Sequence, residues 1–206
     1  MSSPGASIEA KEVLRQGSTV QYHFFVHGLP ADKLYKFFSW SVNEQEPADQ
    51  MEGISIGKNG LLICAGRTPQ QCGDASQKDD PIEFTFSPRK AEPLRVAFIS
   101  ADARVAMVLV PDPVKSKDKN CTLEVVRLLP NFELGDFMGS GFTPNARVEF
   151  DSQSYDEKHR LESTANADGN LEFATQPFVS GHDNGTMKVK ALGTQCSPAV
   201  QLDWGR

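Results

Sequence analysis

Apolar and polar residues exchange places at every second position along most of this chain, and helical spacing is nearly absent. Such alternation puts successive side chains on opposite faces, so it predicts half-buried strands. From Thr19 to His27 it places Val20, Tyr22, Phe24 and Val26 on one face and Gln21, His23, Phe25 and His27 on the other. After a GLPAD turn, KLYKFFSWSV predicts a second strand with Leu34, Phe38, Trp40 and Val42 inward and Tyr35, Phe37, Ser39 and Ser41 outward. EGISIGKNGLLICAG carries Asn59-Gly60 between two apolar runs, a tight-hairpin signal because both central residues need positive φ. Further strands are expected at IEFTF and in LRVAFISADARVAMVLV, which folds back around Ala101-Asp102-Ala103. SIEAKEVLRQG fits neither the helical nor the strand period and stays open between a capped helical turn and an edge strand.

The alternation breaks at PDPVKSKDKN, where Pro and charge replace apolar residues, and an exposed linker is expected there. Beyond it, CTLEVVRLL, ARVEF, HRLEST, NLEFATQPF, TMKVKAL and AVQLDW are short strands separated by turn residues, with Asp168-Gly169 and Asn184-Gly185 read as two tight hairpins. Connections too short for helices indicate an all-β chain of two tandem β-sandwich domains joined by a short charged, Pro-containing linker. The expected boundaries are residues 1–113, 114–119 and 120–206.

Four cysteines fit this plan. Cys64 and Cys72 bracket a short loop, and Cys121 and Cys196 bracket the whole C-terminal segment. Four cysteines allow three pairings. Pairing within each segment is favoured, because each pair then sits where antiparallel neighbours meet; the long bridge would contribute about 4.5 kcal/mol by loop entropy. Four reduced thiols of a cytosolic protein are the alternative. The opening MSSPGASIEA has neither a basic nor an apolar signal segment, which leaves a cytosolic protein or a mature exported one. Disulfides favour the extracytoplasmic reading, periplasmic or secreted.

The second half resembles extracellular bacterial immunoglobulin-like modules of the IPT/TIG kind, on GSGFTPNARVEF, ANADGNLEF and CSPAVQLDWG. The first half, with FVHGLPADKLY and LRVAFISADARVAMVLVPDP, is similar to the companion domain of tandem secreted bacterial proteins. The resemblance implies an immunoglobulin-like fold and an export route for both domains, and it brings no catalytic residues.

Several chemistries find no support in the residue pattern. A net charge of -6 with scattered Lys and Arg argues against nucleic acid as a partner. The longest apolar run, VAMVLV, is far too short to span a bilayer. His23 and His27 share a strand face but lie about 13 Å apart at strand rise, too far to chelate one ion. Asp79-Asp80, Asp168 and Asp183 match no calcium loop. Ser140 in GSG lacks the flanking glycines of a nucleophile elbow. No catalytic residue, metal or cofactor is therefore expected.

What stands out is apolar. His23, Phe25, His27, Tyr35 and Phe37 are expected to point away from the core, and outward aromatics mark a covered or binding surface. The cover would be the second domain or the N-terminal segment, a second copy, or an external protein or carbohydrate. The expectation is a non-enzymatic exported binding or structural protein. Its alternatives are a carbohydrate-binding or surface-attachment module using those aromatics, and a hydrolase on an all-β scaffold.

Overall fold

The computed structural model of the chain describes residues 2–41, 44, 46, 47, 49–65, 80–129, 131–193 and 195–205. It is all-β: sixteen strands and no α-helix occur among the described residues, hence no helix there is long and apolar enough to cross a membrane. The chain divides into two compact units, Met1–Arg89 with Pro93–Asp112, and Lys90–Glu92 with Pro113–Arg206.

The first unit contains β1 (Ser7–Gln16), β2 (Thr19–His27), β3 (Tyr35–Ser41), β4 (Asp49–Ile56), β5 (Leu62–Cys64), β6 (Phe84–Phe86), β7 (Leu94–Ile99) and β8 (Arg104–Leu109). They form antiparallel sheets of order β1-β2-β6 and β5-β4-β3-β7-β8. As the alternation predicts, β2 buries Val20, Tyr22, Phe24 and Val26. The turn between β4 and β5 places Asn59 and Gly60 at φ 59° and 82°, the left-handed pair the hairpin requires. The β7–β8 reversal is held by the Ser100 amide donating to the Ala103 carbonyl at 2.8 Å and the Ala103 amide donating to Ser100 Oγ at 3.2 Å. The ambiguous N-terminal segment is the edge strand β1. A register shift between Glu12 and Leu14 explains why its apolar residues keep no single period.

β3 corrects the expectation for Tyr35 and Phe37. Both point inward, 1% and 3% exposed, while Leu34, expected inward, is 58% exposed and Phe38 and Trp40 are only half-buried. A period of two tells the faces apart only when they differ in hydrophobicity, and this strand is aromatic on both. Tertiary packing decides. The Phe37 ring lies 4.7 Å from Phe84 and 5.2 Å from Phe98, and Phe24 joins them at 5.1 Å from Phe84. The Tyr35 hydroxyl donates to the Pro30 carbonyl at 2.7 Å, which permits burial of its polar end.

The second unit contains β9 (Val114–Asp118), β10 (Cys121–Arg127), β11 (Gly135–Ser140), β12 (Arg147–Ser154), β13 (Glu157–Thr164), β14 (Leu171–Thr175), β15 (Asn184–Leu192) and β16 (Ala199–Gly205). Antiparallel sheets of order β14-β11-β10-β9 and β13-β12-β15-β16 share one apolar core, with Leu123, Val125 and Phe137 from the first and Phe150, Val189 and Leu202 from the second. Residues 114–118, expected within the linker, instead form β9, paired with β10. Its VKSKD alternates after all, with Lys115 and Lys117 exposed; lysines are the ordinary dress of an edge strand and concealed the period. The unit also recruits residues from outside the expected boundary. Ala91 is fully buried in its core, and the Arg127 amide donates to the Ala91 carbonyl at 2.7 Å.

Two turn expectations also change. Asp168-Gly169 does not close a paired hairpin: it carries the chain from β13 in one sheet to β14 in the other, with Asn166 Oδ1 accepting from the amides of Asp168 (2.9 Å) and Asn170 (3.0 Å). Asn184-Gly185 lies inside β15, paired with Gly205 and Trp204. The GSGF turn does depend on its second glycine. Gly141 sits at φ +76°, and a Cβ there would meet the Asn120 carbonyl oxygen.

Cys121 and Cys196 form a disulfide across a sequence separation of 75, with Cα atoms 6.0 Å apart and both residues buried. Cys64 is buried at the end of β5, whereas Cys72, its expected partner, lies outside the described residues, as do Val42 and Asp79.

Candidate ligand cleft

β10 and β16 both start beside the disulfide, at Cys121 and shortly after Cys196, so the bond clamps one end of the second unit. At the far ends of the same two strands lies a cleft of about 530 Å3. Three chain segments line it: the β10–β11 loop with Leu129, Asn131 and Glu133, the β14–β15 loop with Gln176, Phe178, His182 and Asp183, and Trp204-Gly205 at the end of β16.

Each wall is anchored in the core. In the β10–β11 loop, Phe132 is 1% exposed at φ 57°, and the Arg127 guanidinium lies 4.2 Å above its ring. Its amide donates to the Leu129 carbonyl at 3.1 Å, and the Leu128 amide donates to the Leu134 carbonyl at 3.0 Å. Burial of Phe132 turns its neighbours Asn131 and Glu133 toward the cleft. The β14–β15 loop is pinned in the same way by buried Val179, whose carbonyl accepts from the His182 amide at 3.2 Å. The Gly205 amide donates to the Asn131 carbonyl at 2.8 Å, tying strand end to loop.

The floor is aromatic. Trp204 is 6% exposed, and its indole Nε1 donates to Ser154 Oγ at 3.0 Å, so the ring packs beneath the cleft with its N–H satisfied internally. Tyr155 meets Trp204 edge-on at 6.3 Å and stacks on the His182 imidazole at 3.9 Å, its hydroxyl donating to the Asn184 carbonyl at 2.7 Å. Phe178 remains 53% exposed and Leu129 41%. The close approach of Tyr155 and Trp204 requires Gly185, where a Cβ would come within 2.6 Å of the Tyr155 ring and 2.8 Å of the Trp204 ring. Gly185→Ala is accordingly expected to destabilise the unit by about 1–3 kcal/mol through overpacking and to change the near-ultraviolet circular dichroism of these rings. An unchanged spectrum and melting temperature would contradict this packing.

A second, more open cleft of about 540 Å3 runs over the outer face of β9, β10, β11 and β14, past Lys115, Glu124, Met138 and Glu172. On the same face, burial first and the neighbouring Glu172 second hold the Asp136 carboxyl above its ordinary value. A raised carboxyl costs the fold stability when ionised, and this cost disappears as pH falls through the folded value toward the unfolded one. Asp136→Asn should thus raise the melting temperature at pH 7, with a gain that shrinks on acidification and vanishes below about pH 4. A gain independent of pH in paired thermal melts would rule out this origin.

The residues singled out from sequence do not assemble into a site. On β2, His23 and Phe25 are partly buried and His27 is exposed, while Tyr35 and Phe37 belong to the core, so the expected aromatic platform is absent from that face. Among the described residues, no three His, Cys, Asp or Glu side chains gather in a metal-binding group. Ser140 borders the open cleft, and His159 pairs with Glu157 at 3.4 Å on an exposed strand. The cleft residues Asn131, Glu133, Gln176 and Phe178 escaped sequence reasoning. Their one signal is the break of alternation in LLPNFEL and TQPF, which marks loops without saying that they converge. No family model matches the chain, and no curated protein matches it either.

Proposed function

We propose that this chain is an exported, non-catalytic binding protein of two tandem immunoglobulin-like β-sandwiches, the second resembling the IPT/TIG kind, which recognises its ligand in the loop-end cleft of the second unit. The Cys121–Cys196 bond carries this reading: a buried disulfide closing most of a strand-built unit suits an oxidising compartment. The cleft supports a binding role, since connecting loops on a rigid sheet scaffold are where such folds place recognition. Its histidine is engaged in stacking on Tyr155, an arrangement that fixes a surface. The GSGF turn that leads toward β12 is the feature shared with IPT/TIG modules.

The test is alkylation of the denatured protein, recovered from its native compartment, followed by peptide mass mapping. Unmodified, crosslinked Cys121 and Cys196 are expected. Recovery of both as alkylated thiols would overturn the exported reading.

A further inference from the structure

We infer that the cleft between the β10–β11 loop, the β14–β15 loop and the end of β16 is a saccharide site, taking a neutral, hydroxyl-rich ring. This rests on the binding-protein reading above and names its ligand class. The volume of about 530 Å3 is that of a small-molecule site. Two kinds of surface line it, and each restricts the occupant.

The apolar surface is Phe178, 53% exposed, with the ring of Trp204, whose only N–H is already given to Ser154. Phe178 offers exposed ring surface and no donor, which suits the C–H face of a sugar, while Trp204, 6% exposed, backs the wall with an edge that carries no free donor. The polar surface is Asn131, Gln176, Glu133 and Asp183, with His182, whose ring is stacked on Tyr155. Two carboxylates repel an anionic ligand. A cation would satisfy the carboxylates and rest on the rings, but it offers no acceptor, so the amide N–H groups of Asn131 and Gln176 would keep bonding to water and add nothing to its recognition. A hydroxyl donates to the carboxylates and accepts from the amides. Of the three ligand classes, the neutral polyol alone matches the whole donor and acceptor set. Core anchoring by Phe132 and Val179 holds both loops in place, which lowers the ordering cost of binding.

The decisive experiment titrates the oxidised, 15N-labelled full chain with cellohexaose, maltohexaose, xylohexaose and chitohexaose at millimolar concentration, and separately with choline and tri-galacturonate. At least one neutral hexasaccharide is expected to bind and to move the Trp204 indole, Gly205 and His182 resonances. Phe178→Ala and Gln176→Ala, both at exposed positions, should each weaken that binding about tenfold or more with the melting temperature unchanged. Failure of all four sugars to move these resonances would overturn the inference, as would undiminished binding by both variants. Preference for choline or tri-galacturonate would overturn the saccharide class while leaving a binding role in place. The export reading falls separately, through the thiol alkylation above.

Discussion

Replacing both Cys121 and Cys196 by alanine is expected to lower the stability of the second unit by about 4 kcal/mol. The bond spans a sequence separation of 75, and in the unfolded chain it forbids the many conformations in which the ends of that segment drift apart. Loop entropy for a closure of this length is worth about 4.5 kcal/mol, and the small volume lost at two buried positions acts in the same direction. A single domain has only about 5–15 kcal/mol in total, so the unit without the bond should be marginal at physiological temperature. Urea unfolding monitored by amide exchange at Val125 and Val200, on the two strands that start at the crosslink, would measure the loss. A change below about 1 kcal/mol would mean that packing alone fastens the unit.

Phe37→Ala is expected to cost the first unit about 3–5 kcal/mol, the ordinary penalty for emptying a buried phenylalanine site. The ring sits among Phe24, Phe84, Phe86 and Phe98, so truncation opens a cavity lined by four aromatic side chains held on three strands, β2, β6 and β7. Collapse into that space is hindered. Leu34→Ala, at a residue 58% exposed, should stay within about 0.5 kcal/mol. The pair is diagnostic because the alternation of β3 by itself suggests the reverse order. Thermal or urea unfolding of the two variants would show which face of the strand is buried, and equal costs would contradict the packing described here.

Legibility varied with how different the two faces of each segment were. On β2 the contrast between Val20, Tyr22, Phe24 and Val26 and a facing set that is polar except for Phe25 was sufficient to identify the buried face. On β3 aromatics occupy both faces, and on β9 lysine covers one face while the other carries only Val114, Ser116 and Asp118. Local pattern then has nothing to separate. The same limit applies to turns. Asn59-Gly60 states its own geometry through two left-handed residues, whereas Asn184-Gly185 has the same composition and is absorbed into β15 by pairing with β16. Glycine there serves the approach of Tyr155 and Trp204, a requirement set by residues distant in the chain.

The amino-acid order by itself determined the all-β class, most strands and the break between the two halves, and it favoured the pairing of Cys121 with Cys196 among the three possible, because these follow from side-chain period, turn chemistry and the placement of one cysteine at each end of the C-terminal segment. Tertiary structure decided which face of β3 is buried, that the charged stretch after Asp112 is a strand, that Ala91 belongs to the second core, and where a ligand cleft forms. Those outcomes depend on contacts between segments far apart in sequence, whose energies no local pattern encodes.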